Sequence, residues 1–129
     1  MGTTLTESAR NAACDAVVGL LDVGYGDNPT LEIRDSSETV LVAIDLPGGG
    51  VFGAASGGVA EANEIDEADV AETGTADHWV AKDKDGVARL SGDVGGTGSG
   101  ASLILSDVEL TATEKIQVTG WTHTQPASV

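Results

Sequence analysis

Asp83-Lys84-Asp85-Gly86 has the carboxylate spacing that opens a calcium loop. Such a loop needs another oxygen ligand at its fifth position and a glutamate at its twelfth, because the ion takes about six to eight oxygens. Val87 and Val94 stand at those places, and Lys82 and Lys84 put positive charge between the acids. The four residues therefore read as an Asp-Gly reverse turn. Gly96-x-Gly98-x-x-Ala101 matches a dinucleotide fingerprint in letters only. The pyrophosphate needs a helix N-terminus behind the glycines, and Ser102-Leu103-Ile104-Leu105 reads as strand. Ala54-Ala55-Ser56-Gly57-Gly58 is a loose relative of a nucleophile elbow, with His78 and His123 as the available bases. The segment around Ser56 reads instead as a hairpin. Two histidines and the single Cys14 do not make a zinc site of ordinary composition, and one cysteine makes no internal disulfide. No catalytic residue, cofactor site or metal site is expected.

Charge is the strongest signal in the chain. Between Arg34 and Lys82 there are ten Asp or Glu residues and no Lys or Arg, and the 129 residues carry a net charge of -15. A surface of this sign repels phosphate and anionic lipid, so nucleic-acid and membrane partners are not expected. The acids from Glu61 to Asp77 would hold calcium or magnesium only if a folded loop gathered them. The simpler reading is a solvated face. The N-terminus has neither a basic nor an apolar leader region, so no signal peptide is expected. Met1-Gly2-Thr3-Thr4-Leu5-Thr6 matches a myristoylation pattern that reads as chance, since its surroundings are acidic.

The spacing of apolar residues predicts an N-terminal helix, with Thr4 as N-cap and Glu7 completing a capping box. Leu5, Ala9, Ala12, Ala13, Ala16, Val17 and Leu20 fall on one face, and that stripe must pack on the chain's own sheet or on a partner. Cys14 is expected to be a small buried hydrophobe. Gly19 weakens the last turn, and Gly24 and Gly26 end the helix. After Pro29 the pattern alternates. Strands are predicted over Leu31–Arg34 and Thr39–Leu46 about a turn at Asp35–Glu38, with a break at Pro47-Gly48-Gly49-Gly50. A small-residue hairpin follows, Val51–Ala55 with Val59–Asn63. Next come the acidic loop or weak strand edge and a hairpin of His78–Lys82 with Val87–Ser91. The tract Gly92–Gly100 reads as a loop. Leu103–Leu105, Val108–Leu110 and Lys115–Thr122 complete the set.

These elements predict a mainly β fold, in which the helix precedes an antiparallel β-sandwich or open barrel of about seven or eight short strands. The chain reads as one domain. Residues 1–24 form the helix and its cap, 30–122 the β-rich body and 123–129 a tail. Ala and Val dominate the apolar residues and 18 glycines add conformational entropy to the unfolded chain, so stabilisation by assembly, including contact with copies of itself, fits the composition. Phe52, Trp79 and Trp121 are the large aromatics of the β-rich body. They anchor the core, or one of them anchors an interface or stacks on a sugar ring. With them, Glu61, Glu64, Asp66, Glu67 and Asp69 are the candidate interface residues.

Several segments together carry a family resemblance. They are Asn11-Ala12-Ala13-Cys14-Asp15-Ala16-Val17-Val18, then Leu31-Glu32-Ile33-Arg34-Asp35 (where the family tends to read Leu-Arg-Ile-Tyr), and the tract Phe52 to Asn63. Gly74-Thr75-Ala76 before Trp79, and Gly92-Asp93-Val94-Gly95 before Leu103-Ile104-Leu105, continue the series in order. The chain resembles the small, alanine- and glycine-heavy β-rich proteins encoded among the head and tail genes of tailed bacteriophages. These are packing and turn motifs, and none is chemical. The resemblance implies a non-enzymatic virion component, assembled in the host cytoplasm, with the major capsid protein or copies of itself as partners and no cofactor. A capsid decoration protein on the head exterior is the leading expectation. A tail or neck component and a carbohydrate-binding module using Trp79 or Trp121 are the alternatives.

Overall fold

The computed structural model describes residues 4–26, 28–46 and 50–125. The predicted break at Pro47-Gly48-Gly49, the Met1-Gly2-Thr3 part of the acylation pattern and the tail beyond Gln125 lie outside the described residues.

The chain is mainly β with an N-terminal helix, as its patterning predicts. Helix α1 spans Glu7–Gly19 and tightens into a 3-10 turn at Leu20–Asp22. Its cap is Thr6, whose hydroxyl accepts from the Ala9 N–H at 3.2 Å; the predicted cap at Thr4 is corrected by two residues. Thr6 holds the extended backbone that a cap requires. Glu7 is thereby moved to the first helical position, out of reach of a capping box.

Eleven strands follow among the described residues: β1 Thr30–Arg34, β2 Val40–Asp45, β3 Val59–Glu61, β4 Ala68–Asp69, β5 Gly74–Thr75, β6 His78–Lys82, β7 Ala88–Gly95, β8 Leu103–Leu105, β9 Glu109–Leu110, β10 Lys115–Ile116 and β11 Val118–Thr124. Seven of them form one sheet in the order β2-β1-β6-β7-β8-β11-β3. Every neighbour is antiparallel except β7 and β8, where Val94 pairs with Leu103 and Gly95 with Ile104. The predicted loop at Gly92–Gly100 is therefore corrected, since its first four residues belong to β7. The predicted tail is corrected as well, since β11 runs on to Thr124.

Period-two alternation sets the register. Leu31 and Ile33 face inward, opposite Ile44 and Val42 on one side and Ala81 and Trp79 on the other. The ladders β4–β10 and β5–β9 bring in a second group of apolar residues. Ile65, Val70, Ala76, Leu110 and Ile116 join the sheet's Leu31, Ile33, Trp79, Leu103 and Trp121 in one core cluster. The acid-rich stretch is thus an ordered strap, pinned by a buried apolar residue every few positions while its carboxylates face water.

Gly92 shows what fixes the middle of the sheet. A Cβ there would lie 2.7 Å from Ser102 Oγ and 2.8 Å from both Cζ2 and Nε1 of Trp79. Those two groups are themselves joined, the Trp79 indole N–H donating to Ser102 Oγ at 3.0 Å. Gly92→Ala must push them apart, and overpacking of this kind costs about 1–3 kcal/mol. A lowered midpoint in urea unfolding is the expected result; an unchanged midpoint would mean that β7 and β8 move apart freely.

Candidate functional site

The motifs that read as chemistry in the sequence resolve into turns. The Asp83 side chain is consumed by its own hairpin: Oδ1 accepts from the N–H of Asp85 at 2.9 Å and of Val87 at 3.0 Å, and Oδ2 accepts from Arg89 Nε at 2.8 Å. Arg89, with help from the two backbone donors, holds this carboxyl below the usual aspartate range. A group depressed in the folded state contributes stability above its unfolded value of 3.8 and loses it as pH falls through the folded one. Asp83→Asn is expected to be less stable than the native chain at neutral pH, with the gap closing in acid. Paired denaturant titrations across the acid range measure that gap, and a constant gap would contradict the assignment.

Ser56 sits at the first corner of a tight hairpin turn, bonded to Val59 by both backbone groups. Gly57 and Gly58 take φ of +61° and +78°, the left-handed geometry such a turn demands. Among the described residues, no hydrogen bond joins either histidine to it. His78 bonds Asp77 at 2.8 Å through Nδ1 and Glu38 at 3.0 Å through Nε2, contacts that raise its pKa against the opposing effect of partial burial. His123 is shifted down by burial. The residues after Gly96–Ala101 form strand β8, so no helix N-terminus faces those glycines. Among the described residues, no group of three or more His, Cys, Asp or Glu side chains converges as metal ligands do.

The candidate interface residues divide sharply. Trp79 and Trp121 are only 5% and 2% exposed. Their rings meet edge to face at 5.1 Å, and Phe52, half-buried, packs on Trp121 at 4.7 Å. This is a core triad. It corrects the expectation that Trp79 or Trp121 serves as a docking anchor or sugar platform, because neither presents a ring face to solvent. Glu61, Glu64, Asp66, Glu67 and Asp69 are all exposed, and Asp69 pairs with Lys115 at 2.7 Å. The bases are mostly spent inside the chain. Arg34 pairs with Glu32 and Glu38, Lys82 with Glu32, and Arg89 with Asp83, while Arg10 donates to the Leu5 carbonyl. What faces outward is therefore overwhelmingly acidic.

One surface departs from this pattern. Helix α1 packs with Cys14 and Val18 against Ala60, and Leu21 of the 3-10 turn that follows enters the main core. Cys14 is fully buried, which raises its thiol pKa and fits the small-hydrophobe expectation. Three polar side chains flank that seam and serve the hairpin beneath. Glu7 accepts from the Gly57 N–H at 3.3 Å, Asn11 from Gly58 at 2.8 Å and Asp15 from Ala55 at 2.8 Å. Spaced four apart, they lie along one side of the helix. At 3.6 residues per turn the opposite side carries Ala9, Ala12, Ala16, Gly19 and Leu20, all exposed. Of the apolar stripe predicted to need cover, Ala9, Ala12, Ala16 and Leu20 are left uncovered by the chain's own sheet, while Leu5, Ala13 and Val17 are half-buried. The helix is turned this way because the hairpin's backbone donors must be satisfied, whereas alanine gains little from burial.

Beyond Leu20 the chain passes to Val23 and Tyr25, both exposed, and Tyr25 fully so. This segment is tied to the β6–β7 turn: Lys84 N–H donates to the Val23 carbonyl at 3.0 Å, and Tyr25 N–H donates to Asp85 Oδ1 at 2.9 Å. The same turn carries exposed Val87. Leu20, Val23, Tyr25 and Val87 are thus exposed apolar side chains on segments whose backbones are tied together at two points. Neither Tyr25 nor Val87 is among the candidate interface residues read from the sequence: the predicted strand Val87–Ser91 includes Val87, whereas β7 begins at Ala88, and no periodicity marks Tyr25 as exposed. Comparison with protein-family models, curated proteins and solved structures finds no match. No described helix is long and apolar enough to cross a membrane.

Proposed function

We propose that this chain is a non-enzymatic virion structural protein of a tailed bacteriophage, a capsid decoration protein that docks on the major capsid protein. The observation that carries the reading is the outward face of α1. In a chain of net charge -15, the helix keeps its polar residues for internal contacts and offers solvent a face without charge. An uncharged face followed along the chain by an exposed aromatic suits a permanent contact between proteins, since aromatic anchors dominate interface energies. A specific interface buries about 800 Å² per partner, so the helix face, Tyr25 and Val87 would have to be engaged together. The sequence resemblance to phage head and tail proteins supports the same reading. The acidic surface elsewhere stays solvated and keeps the particle exterior from adhering to nucleic acid or other anionic surfaces.

Copy number per particle tests this. Quantitative mass spectrometry of purified virions is expected to find the chain at a stoichiometry near that of the major capsid subunit. A handful of copies would place it at the neck or tail instead, and absence from the particle would overturn the reading.

A further inference from the structure

The sheet has two ends, and the chain treats them differently. At the β3 end, the segment before the Gly57-Gly58 turn folds back as a cover. Gly53 N–H donates to the Glu61 carbonyl at 2.9 Å, and Asn63 N–H donates to the Val51 carbonyl at 2.8 Å. At the other end lies β2, and among the described residues β1 is its one strand partner.

The register tells which backbone groups of β2 point outward. Leu46 N–H donates to the Pro29 carbonyl at 2.9 Å, so Leu46 faces β1, and with it the alternate residues Ile44 and Val42. Ala43 and Asp45 then direct their N–H and C=O groups away from the sheet. Leu41 has the same parity, and its carbonyl accepts from Ala71 N–H at 2.8 Å and Glu72 N–H at 3.3 Å. Among the described residues the strap is hydrogen-bonded to this edge at Leu41, and although β4 stays close to β2, no further backbone bond from the strap to β2 is seen toward Asp45. There a groove of about 540 Å³ opens between β2 and β4. Ala43 and Asp45 form part of one wall, and Glu64, Asp66, Glu67 and Asp69 belong to the other side. No Lys, Arg or His lines it, and only Asp69 of these carboxylates has an ion-pair partner among the described residues.

We propose that the open end of β2 receives an extended, lysine- or arginine-bearing segment of a partner protein as an added strand. The outward groups of Ala43 and Asp45 supply the backbone hydrogen bonds, and the groove carboxylates pair with the segment's cations. The charge selects the occupant. A second copy of this chain would bring its own acidic edge and be repelled, whereas a basic strand is attracted. This proposal does not depend on the virion reading, and the helix face plays no part in it.

The test is a titration of the full chain with a short synthetic peptide alternating lysine and valine, followed by amide NMR and calorimetry at low and high salt. Saturable binding is expected, with the largest amide shifts at Ala43 and Asp45. Ala43→Pro removes one outward donor without touching the β1 ladder, so an edge strand tolerates it, and it should weaken binding about tenfold. The same peptide with alternate backbone nitrogens methylated keeps its charge and is expected to lose about as much. Asp66→Asn with Glu67→Gln, both exposed, should weaken binding and flatten its salt dependence, and this pair keeps the proposal testable if Ala43→Pro fails to fold. Equal binding by the methylated peptide would reduce the effect to charge attraction and overturn the proposal. Absence of saturable binding, or shifts confined to other surfaces, would do the same.

Discussion

Trp121→Ala is expected to cost about 3–5 kcal/mol, the usual range for emptying a large aromatic site in a core. Total stabilities of small domains are about 5–15 kcal/mol, so most of the folded population is at stake. The reason is position. Trp121 lies between Phe52 and Trp79, at ring distances of 4.7 and 5.1 Å, and its removal breaks both contacts at once. The rest of the core cluster is mostly Leu, Ile and Val, held in close packing that fills a vacated indole volume poorly. Trp121→Phe should cost much less, for a second reason. The indole N–H is buried without an acceptor among the described residues, and a phenyl ring leaves no such donor unsatisfied. Urea unfolding of the two variants measures the difference. Similar losses for both would show that the triad contributes little beyond its area.

The second large effect concerns attachment. On the proposed reading, Ala16→Glu and Ala16→Arg are each expected to weaken docking on the capsid lattice more than about a hundredfold, because an uncompensated charge at a buried contact costs about 3–5 kcal/mol. Ala16 is exposed in the free chain, and substitutions at such sites usually change stability by less than about 0.5 kcal/mol, so both variants should fold. The paired design separates two explanations. A contact governed by packing on a charge-free face rejects both signs, while one governed by electrostatics rejects the acid and accepts the base. Cosedimentation with particles lacking the protein gives the readout. Retention of either variant at native affinity would remove α1 from the interface.

Much of the fold was legible because turn chemistry is local. The Asp83–Gly86 and Ser56–Gly58 turns announced their hairpins, and alternation at Leu31 and Ile33 announced β1. The helix was legible as an element, but its rotation was not. Alanine is a weak indicator of an inside face, and the deciding bonds come from Ala55, Gly57 and Gly58, some forty or more residues away in sequence. Glycine misled at Gly92, where the absence of a side chain serves close packing on Trp79 and Ser102 rather than a loop. The parallel pairing of β7 with β8 and the ends of the sheet depend on non-local contacts that no short pattern encodes. For the same reason the β2 edge was invisible until the register placed Ala43 and Asp45. The aromatic anchors were recognised as a set, and only the structure showed that Trp79 and Trp121 face each other inside while Tyr25 stands outside.

The most direct test is a cryo-electron microscopy reconstruction of the virion at a resolution that shows side chains. The expected map places this chain on the head exterior, with Ala9, Ala12, Ala16 and Tyr25 buried against the major capsid protein and the carboxylates from Glu61 to Asp69 in solvent. A map with that helix face turned to solvent, or with no density for the chain on the head, would contradict both the docking surface and the decoration role.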